Sequence, residues 1–367
     1  MTVFIEFEHH PLLFSDPETV VSCHDPTTFR SAFEEIERLL KAGYYVAGFL
    51  SYEAGYCFEE RLSRPKTYDF PLLLMGAYKR PVHSRLRPRH SSSFDLKRLR
   101  LNIPEITYAA NIERIRAEIA AGEVYQITYC IKLHFDFQGD PRRLYAELFR
   151  QQPVPYPAYI ETDRFQILSL SPERFIRKDE GQLLTEPMKG TWPRGQDIFS
   201  DVMARFRFQR DRKNRAENVM IVDLLRNDLG RVANHIAVPK LFTVTGYRTL
   251  YQMTSTVTGD TAQDVPLYDL FAALFPSGSV TGAPKIRAME IIRELEGTER
   301  KIYTGAIGYI TPDRDLYFNV PIRTLLISGG SGEMGVGGGI VWDSTPQGEW
   351  EEGLLKARFV RELAGSF

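Results

Sequence analysis

The fold class is decided by three stretches near the carboxyl end: Thr304 to Ile310 (TGAIGYI), Leu316 to Ser328 (LYFNVPIRTLLIS) and Gly335 to Val341 (GVGGGIV). Each stretch is short and largely apolar or glycine-rich, which is typical of buried β-strands separated by turns. A helical pattern follows from about Trp350 to Ala364. Together with the helices upstream, these strands predict an α+β fold in which large antiparallel β-sheets are covered by helices.

The rest of the chain also alternates between strand and helix patterns. Two apolar runs, Tyr44 to Tyr52 and Val124 to Leu133, predict strands. Apolar residues at helical spacing predict further helices, over Phe29 to Leu40, Tyr108 to Ala121, Val202 to Leu229 and Pro284 to Leu295.

A passage rich in Pro, Arg and Ser, from Pro81 to Phe94, predicts a connection between two parts of the chain. We therefore expect an amino-terminal lobe with its linker over residues 1–95 and a larger domain over residues 105–365. The linker includes the basic stretch Arg85 to His90. We interpret this stretch as solvated linker, although a site for a polyanion is the alternative.

The overall composition excludes several classes of protein. The chain has 46 Lys and Arg against 47 Asp and Glu residues, so no global positive field is available for binding nucleic acid. Hydrophobic residues make up 43% and charged residues 25%, the usual balance of a soluble globular protein. No apolar run approaches the roughly 20 residues that span a bilayer. We expect no nucleic acid and no membrane among the partners.

The cysteines and the first residues bear on the cellular compartment. Cys23, Cys57 and Cys130 lie far apart and share no metal-ligand spacing, which indicates reduced thiols. The start, Met1 to Glu8, carries acidic residues in place of the basic and apolar regions of a signal peptide. We therefore expect a cytoplasmic protein.

Acidic residues on two predicted helices are candidate metal ligands. Glu217 lies one turn before the apolar residues of its helix, where an unpaired carboxylate would be costly to bury. A salt bridge to an Arg is the alternative role for Glu217. Glu349 and Glu352 are three residues apart and share one side of the last helix. Carboxylates without a nearby His or Cys suit Mg²⁺, which prefers oxygen ligands.

Two segments of small residues are candidate anion sites. Residues 276–285 (PSGSVTGAPK) run into a helix that we expect to begin at Pro284, so that free backbone N–H groups and the Thr281 hydroxyl could meet an anion. An ordinary capped turn is the alternative. Residues 337–339 (GGG), which we expect in a turn, leave backbone amides open to a carboxylate.

Two cationic residues stand out by their surroundings. Arg323 is a charge inside an otherwise apolar predicted strand, where either a structural partner or an anionic ligand could neutralise it. Lys189 lies in a segment with Pro187, Gly190 and Pro193 that we interpret as a shaped loop. A loop lysine is usually solvated, but burial would favour the neutral, nucleophilic amine.

Taken together, these motifs resemble the chorismate-utilising enzyme family, which includes anthranilate synthase component I, aminodeoxychorismate synthase component I, and isochorismate and salicylate synthases. The similar segments follow the family order within residues 105–365 and include SPERF (171–175), KGTWPRG (189–195), 215–228, 277–290, IRT (322–324) and 337–352. The segment GFLSYEAGY (48–56) also looks like the amino-terminal part of the aminodeoxychorismate synthase branch. The resemblance implies an anthranilate synthase component I-like fold and makes residues 105–365 the catalytic domain.

The resemblance also implies roles for individual residues. Glu217 and Glu352 match the family's Mg²⁺ ligands, with Glu349 close by, and the metal would hold the ring carboxylate of chorismate. Glu173 matches the acid that assists departure or entry of a hydroxyl. The residues matching the grip on the enolpyruvyl carboxylate are Arg323, Lys356, Tyr309 and the backbone of Gly338 and Gly339. Thr281 and Gly282 match a loop that lines the substrate pocket.

Two positions point to one branch of the family. Isochorismate and salicylate synthases resemble one another in having a water-activating Lys where this chain has Gln126, and an amide cannot act as that base. Anthranilate synthases look like Pro-Ile-Ala-Gly-Thr where this chain has Pro-Met-Lys-Gly-Thr, residues 187–191. The lysine of this motif, Lys189, is similar to that of aminodeoxychorismate synthases, in which the amine is thought to attack the ring.

The chain also departs from the family pattern. Many members carry a His that assists pyruvate elimination at the place of Gln252, and Gln cannot shuttle a proton. The short amino-terminal part puts in doubt a tryptophan-binding pocket like that of longer relatives. The glutamine at residue 252 argues against anthranilate synthase and is compatible with an enzyme that does not eliminate pyruvate.

The implied reaction needs ammonia from outside this chain. None of the three cysteines lies in the Gly-rich elbow of a glutaminase nucleophile, so we expect a separate glutamine amidotransferase subunit or direct use of ammonia. The product would be 4-amino-4-deoxychorismate, for para-aminobenzoate and folate biosynthesis. The alternatives are anthranilate synthase component I and a catalytically silent chorismate-binding paralogue.

Overall fold

Two antiparallel β-sheets form the framework of the protein, in a computed structural model that describes residues 1–88, 93–246 and 250–364. With strands numbered in chain order, one sheet has nine strands among these residues: β1 (Thr2–Phe7), β2 (His10–Phe14), β6 (Phe94–Leu101), β7 (Gln126–Gly139), β8 (Tyr156–Glu161), β9 (Gln166–Ser171), β15 (Gly282–Ala283), β18 (Thr324–Ser328) and β19 (Ser331–Ile340). Its order is β15-β7-β19-β18-β9-β8-β1-β2, and β6 also pairs with β7.

The second sheet has ten strands in the described part of the chain: β3 (Thr19–Cys23), β4 (Tyr45–Leu50), β5 (Leu73–Tyr78), β10 (Arg174–Asp179), β11 (Gln182–Glu186), β12 (Met188–Pro193), β13 (Asn234–Gly246), β14 (Leu250–Asp260), β16 (Ala306–Ile310) and β17 (Leu316–Asn319). Its order is β12-β14-β11-β10-β17-β16-β4-β5-β3, with β13 also paired to β14.

Helices cover the sheets, as the sequence predicted for an α+β fold. Those that the structure describes are α1 (Phe29–Lys41), α2 (Glu105–Ala120), α3 (Pro141–Gln151), α4 (Ile198–Arg210), α5 (Arg212–Leu229), α6 (Leu267–Leu274), α7 (Lys285–Glu296) and α8 (Pro346–Leu363). None of these helices is both long enough and apolar enough to cross a membrane.

The apolar core has three main parts. One part packs α1, α5 and α6 on the ten-stranded sheet, and another packs α2, α3, α7 and α8 on the nine-stranded sheet. The third part lies between the two sheets, where Ile5 and Ile167 of one sheet join Phe49 and Ile307 of the other. Burial of apolar side chains on the inner faces therefore holds the two sheets together.

Strands from the predicted amino-terminal lobe (residues 1–95) enter both sheets. In the nine-stranded sheet β1 pairs with β8, and in the ten-stranded sheet β4 pairs with β16. The two parts expected from the sequence therefore share both sheets. Residues 89–92 of the predicted linker, and residue 365 at the end of the predicted catalytic domain, lie outside the described residues.

Two predicted elements are divided in the structure. The helix expected from Val202 to Leu229 is two helices, because Asp211 adopts an extended conformation and its side chain accepts a hydrogen bond from the backbone N–H of Asn214, starting α5 afresh. The strand expected from Leu316 to Ser328 is also two, β17 and β18, which belong to different sheets. The prediction of one element was wrong in both cases.

The chain crosses between the sheets at residues 320–323. Pro321 cannot donate a backbone hydrogen bond to a sheet, and Arg323 has a left-handed φ of 50°. Arg323 therefore lies at the crossing, and the expectation that it is inside a strand was wrong. Its carbonyl accepts a hydrogen bond from Leu170 N at 3.1 Å, which fixes the crossing to the nine-stranded sheet.

Three local predictions near the candidate site also need correction. Residues 337–339 lie in strand β19, paired with β7, so the strand expected from Gly335 to Val341 is confirmed and the turn expected at residues 337–339 was wrong. Lys189 lies in strand β12 and not in a loop. Pro284 precedes α7 as its N-cap and is not its first residue. Pairing partners that are distant in the sequence decide the first two cases, and neither local composition nor spacing reveals them.

Candidate functional site

The candidate site lies where an edge of each sheet meets helices α5 and α8. Lys189 is on β12, at the end of the ten-stranded sheet's order, and it lies in a β-bulge, since the register with β14 shifts between Met188 and Thr191. Gly190 has φ of 85°, which favours glycine. The bulge changes the direction of the Lys189 side chain relative to the side chains of its neighbours in the strand.

Strands β7 and β19 supply the opposite wall. A Cβ atom on Gly339 of β19 would lie 3.1 Å from Lys189 Nζ and 2.3 Å from Gln126 Nε2, so glycine makes room there for both side chains. Gln126 is fully buried, and neither its amide nitrogen nor its amide oxygen has a hydrogen-bond partner in the described structure. The buried hydroxyl of Thr128, two residues along the same strand, likewise lacks a partner there. Buried polar atoms of this kind are costly unless a ligand binds them.

The surroundings of Lys189 favour its neutral form. Burial lowers the pKa of the Lys189 amine, and the positive charge of Lys356 adds to this effect. The carboxylates of Glu217, Glu173 and Glu352 oppose it. The net direction is downward, so the amine loses its proton more easily than an exposed lysine does.

Glu173 is a buried carboxyl group close to this lysine. Its Oε1 accepts a hydrogen bond of 2.5 Å from Ser279 Oγ, and the backbone of Met188 is a second partner. Burial raises the pKa of Glu173 to about 7, although the Ser279 hydrogen bond and the charge of Lys189 act in the opposite direction. A carboxyl group with this pKa can donate a proton near neutral pH.

Helix α8 presents two carboxylates and a lysine to strand β19. Lys356 Nζ lies 2.7 Å from Glu352 Oε1 and donates a 2.7 Å hydrogen bond to the carbonyl of Gly337. Glu349 Oε1 accepts a 2.6 Å hydrogen bond from Ser344 Oγ. A Cβ atom on Gly338 would lie 3.0 Å from Glu349 Oε2 and 3.6 Å from both Glu352 Oε1 and Lys356 Nζ.

The three glutamates predicted as metal ligands differ in their electrostatics. The charge of Lys356 lowers the pKa of Glu352, whereas burial raises the pKa of Glu349. Glu217, on α5, has a pKa raised mainly by burial, and the charge of Glu352 adds to this rise. Glu217 and Glu352 therefore lie within electrostatic reach of each other although 135 residues separate them.

These carboxylates suit a hard cation that is held partly by other ligands. Among the described residues, no group of three or more His, Cys, Asp or Glu side chains could hold a metal ion. Mg²⁺ typically uses one or two protein carboxylates and completes its shell with water and substrate oxygens. Glu217 and Glu352 fit that requirement, because the charge of Glu352 raises the pKa of Glu217 and a nearby cation would offset this effect.

The predicted pocket loop is folded tightly against β7. Thr281 is fully buried, its hydroxyl donates a 3.1 Å hydrogen bond to the carbonyl of Ser277, and its carbonyl accepts from Thr128 N at 2.7 Å. Gly282 pairs with Ile127, and a Cβ atom there would lie 2.2 Å from the Gln126 carbonyl oxygen. Only glycine permits this approach, so Gly282 sets the position of Gln126 in the wall.

One of the candidate residues is placed elsewhere. Tyr309 stacks on Tyr317 with ring centroids 5.0 Å apart and contacts Phe14 in the core between the sheets. The structure does not bring Tyr309 together with Lys356 and Gly338. Tyr303, six residues earlier, packs against Gly335 of β19, where a Cβ atom would lie 2.3 Å from its ring. The spacing of tyrosines along the chain does not reveal which ring faces β19.

Sequence reasoning missed three residues of the site. Gln126 was noted only because an amide cannot replace the water-activating Lys of other family members. Thr128 was not singled out, and Ser279 was treated only as one of several small residues. The period-two alternation of β7 could have indicated that Gln126 and Thr128 share one face. The Ser279–Glu173 contact joins residues 106 positions apart, so it had no local signal.

A comparison with protein families identifies the family of this chain. The family profile described as chorismate binding enzyme matches residues 7–362. The match covers nearly the whole chain, including strands β2 to β5 of the predicted amino-terminal lobe.

Individual relatives come from two branches of the family. The chain is 40% identical over 267 residues to aminodeoxychorismate synthase component 1 of Klebsiella aerogenes, covering 72% of this chain and 59% of that protein. It is 38% identical over 263 residues to anthranilate synthase component 1 of Methanothermobacter thermautotrophicus, covering 70% of this chain and 57% of that protein. The chain thus spans less than two thirds of the length of these curated relatives.

A solved structure shows the same fold at low sequence identity. The menaquinone-specific isochorismate synthase MenF of Escherichia coli superposes with a TM-score of 0.80 at 19% identity, covering 99% of this chain and 88% of that one. The expected chorismate-utilising fold is therefore confirmed.

Proposed function

The chain belongs to the chorismate binding enzyme family, and within it we propose that it is an aminodeoxychorismate synthase, component 1 type, which converts chorismate and ammonia to 4-amino-4-deoxychorismate. The relatives leave two branches open, because aminodeoxychorismate and anthranilate synthases match at similar identity. The observation that carries the choice is Lys189, a half-buried amine whose pKa is lowered by burial, beside the buried carboxyl group of Glu173. An anthranilate synthase has no use for a nucleophile at this place.

The first half of the reaction joins Lys189 to the substrate. The neutral amine donates its electron pair to ring carbon C2, the ring double bonds shift, and the bond from C4 to its hydroxyl oxygen breaks. Glu173 supplies a proton to that oxygen, so the group leaves as water. The attached nitrogen then loses a proton, and the product of this half is a secondary amine between Lys189 and the ring.

The second half releases the enzyme. Ammonia adds at C4, the double bonds shift back, and the C2–nitrogen bond breaks as one proton passes from the new ammonium group at C4 to the departing nitrogen of Lys189. The sum is chorismate and ammonia giving 4-amino-4-deoxychorismate and water, with the enolpyruvyl group retained. Gln252 supports retention, because its amide cannot carry the proton that pyruvate elimination would require.

The substrate is a dianion and needs two clamps. Glu217 and Glu352, with Glu349 beside them, would hold Mg²⁺, which when bound would neutralise and orient the ring carboxylate. Arg323, Lys356 and the backbone of Gly338 and Gly339 would hold the enolpyruvyl carboxylate. The Gln126 amide and the Thr128 hydroxyl, which lack hydrogen-bond partners in the part of the chain that the structure describes, would bind polar groups of the ring and hold the reacting carbons near Lys189.

Intact-protein mass spectrometry tests the covalent step. The chain is incubated with chorismate and Mg²⁺ without ammonia, and we expect an added mass of chorismate less one water. Lys189→Ala should abolish the adduct, whereas Lys240→Ala, an exposed lysine of β13, should keep it. An adduct on the Lys189→Ala variant, or none on the unaltered chain, would contradict the covalent mechanism.

Product analysis tests the choice of branch. With chorismate, Mg²⁺ and ammonium, we expect 4-amino-4-deoxychorismate and no pyruvate. Fluorescent anthranilate together with pyruvate would instead identify an anthranilate synthase. No turnover at all would favour the catalytically silent paralogue. Ammonia in the cell would come from a separate glutamine amidotransferase subunit, as the words component 1 in the relatives' names suggest.

A further inference from the structure

Helix α4 turns an apolar face to solvent. Ile198 is 87% exposed, Phe199 78%, Val202 61% and Phe206 49%. Their spacing places all four within about a quarter to a third of the helix circumference, since each residue turns the helix by about 100°. We call these four residues the α4 patch. A contiguous exposed apolar face on a folded protein commonly marks a binding surface.

The other side of α4 anchors this face next to the reaction site. Phe208 is fully buried in a small core with Tyr251 and Met253, and its ring stacks on Trp192 of β12 at 5.6 Å. A Cβ atom on Gly190, the neighbour of Lys189, would lie 3.1 Å from the Phe208 ring. A molecule bound to the α4 patch would therefore be separated from the Lys189 strand by one helix, which is about 10 Å across.

Basic side chains are frequent along α4 and the start of α5. Helical spacing places Arg205 and Arg210 at the two borders of the patch, whereas the charge of Lys213 acts on the glutamates of the candidate site. From residue 198 to residue 215 the chain carries six basic and two acidic side chains, although the whole protein has a formal charge of -1. The six exposed basic residues are Arg205, Arg207, Arg210, Arg212, Lys213 and Arg215. Both acids are engaged, because Asp201 pairs with Arg194 at 2.5 Å and Asp211 caps α5.

The arrangement of charge selects the kind of partner. A second copy of the chain would bring the same cationic rim against this one, and like charges facing each other weaken association. A partner with apolar residues inside an acidic rim would match both features. Aromatic and aliphatic side chains inside a charged rim are also the usual composition of a protein interface.

We infer that the α4 patch binds the acidic face of the glutamine amidotransferase subunit that supplies ammonia. This inference rests on the proposed function, which requires ammonia at the ring held by Lys189. Most free ammonia is protonated at neutral pH and is then no nucleophile. A source docked one helix away would deliver the neutral molecule beside Lys189 before it equilibrates with solvent.

Two activities separate the inference from the function on which it rests. Amination with ammonium chloride requires only this chain, whereas amination with glutamine requires the purified glutamine amidotransferase of the same organism. The test variant is the double substitution Ile198→Asp and Phe199→Asp. These are the first two residues of α4, where acidic side chains are favourable for the helix, so the fold should persist.

We expect the ammonium-dependent rate of the double variant to stay within twofold of the unaltered chain. Its glutamine-dependent rate should fall by at least tenfold. Titration calorimetry should show at least a tenfold weaker Kd for the amidotransferase. The matched control is Ile106→Asp, which alters an equally exposed apolar residue in the first turn of α2. That control should keep both activities and the unaltered Kd.

Several outcomes would overturn the inference. Unchanged glutamine-dependent activity and Kd in the double variant would exclude the α4 patch as the interface. Loss of both the ammonium-dependent and the glutamine-dependent activity in the double variant would show that the patch belongs to the reaction site. Loss of glutamine-dependent activity only in Ile106→Asp would show that the interface lies on α2. A dimer of this chain that the double variant dissociates would show that a second copy occupies the patch. Absence of ammonium-dependent amination in the unaltered chain would instead refute the proposed function, and calorimetry would still report on the interface.

Discussion

Lys189 Nζ lies 3.1 Å from the point that a Cβ atom on Gly339 would occupy. One residue comes from the edge of the ten-stranded sheet and the other from the nine-stranded sheet. The nucleophile proposed for the reaction is therefore positioned by the contact between two sheets. Any side chain at residue 339 would press on that contact.

Gly339→Ala should reduce kcat/KM by at least about tenfold, because the added methyl group meets both Gln126 Nε2 and Lys189 Nζ. Steady-state kinetics with chorismate and ammonium measures the effect. Gly353→Ala is the control, since a Cβ atom there meets nothing within 4 Å and lies in α8. That change should leave the rate unaltered and stabilise the helix by roughly 0.5–1 kcal/mol. Equal rates for the two variants would contradict the assignment of this wall.

Replacement of Gln126 should separate stability from activity. Gln126→Met removes two buried polar atoms that lack partners, so we expect the free energy of unfolding to rise by about 1 kcal/mol while kcat/KM falls at least about tenfold. Urea unfolding and steady-state kinetics measure the two effects. The exposed Gln138, on the same strand, is the control, and Gln138→Met should change neither quantity. A variant that is less stable and fully active would show that Gln126 has a structural role only.

The rate should depend on pH through two groups with opposite signs. Raising the pH neutralises Lys189, whose pKa is lowered by burial, and this favours attack on the ring. Raising the pH through about 7 also ionises Glu173, which then has no proton to give to the leaving hydroxyl. We therefore expect a bell-shaped profile of kcat against pH.

Glu173→Gln tests the second group. We expect kcat to fall by at least about 100-fold. The residual rate should only rise with pH, because deprotonation of Lys189 is then the one titration that still affects it. The exposed Glu180 provides a control, and Glu180→Gln should keep the bell shape. A bell-shaped profile retained in Glu173→Gln would assign the alkaline limb to another group.

The proposed metal clamp predicts a change in magnesium requirement. Glu352→Gln should raise the Mg²⁺ concentration for half-maximal activity by at least about tenfold, since an amide oxygen is a weaker ligand for a hard cation than a carboxylate. The measurement is activity against Mg²⁺ concentration after treatment with a chelator. Glu351→Gln changes the adjacent residue of α8, whose carboxylate accepts a 2.6 Å hydrogen bond from Gln347, and it should leave the requirement unchanged. An unaltered requirement in Glu352→Gln would exclude this glutamate as a ligand.

Much of the local structure followed from the sequence. The helix expected from Phe29 to Leu40 corresponds to α1, and the strand expected from Tyr44 to Tyr52 contains β4. These segments have a clear period in their apolar residues, and burial of one face follows directly from that period. The prediction failed where pairing with strands that are distant in the sequence sets the bounds of an element. Residues 316–328, for example, form two strands that belong to different sheets.

The sequence by itself determined the family and the α+β class, and it singled out Lys189 as the residue expected to separate the branches, because these depend on residue types in fixed order along the chain. Only the tertiary structure decided that burial lowers the pKa of Lys189, that Gln126 lies near it with no hydrogen-bond partner among the described residues, and that Tyr309 lies elsewhere. The reason is physical: burial and electrostatic environment are properties of residues that lie close in space, and the two sheets bring together positions 150 residues apart, such as Lys189 and Gly339. A lysine becomes a nucleophile through those neighbours, which the chain supplies only when both sheets have formed.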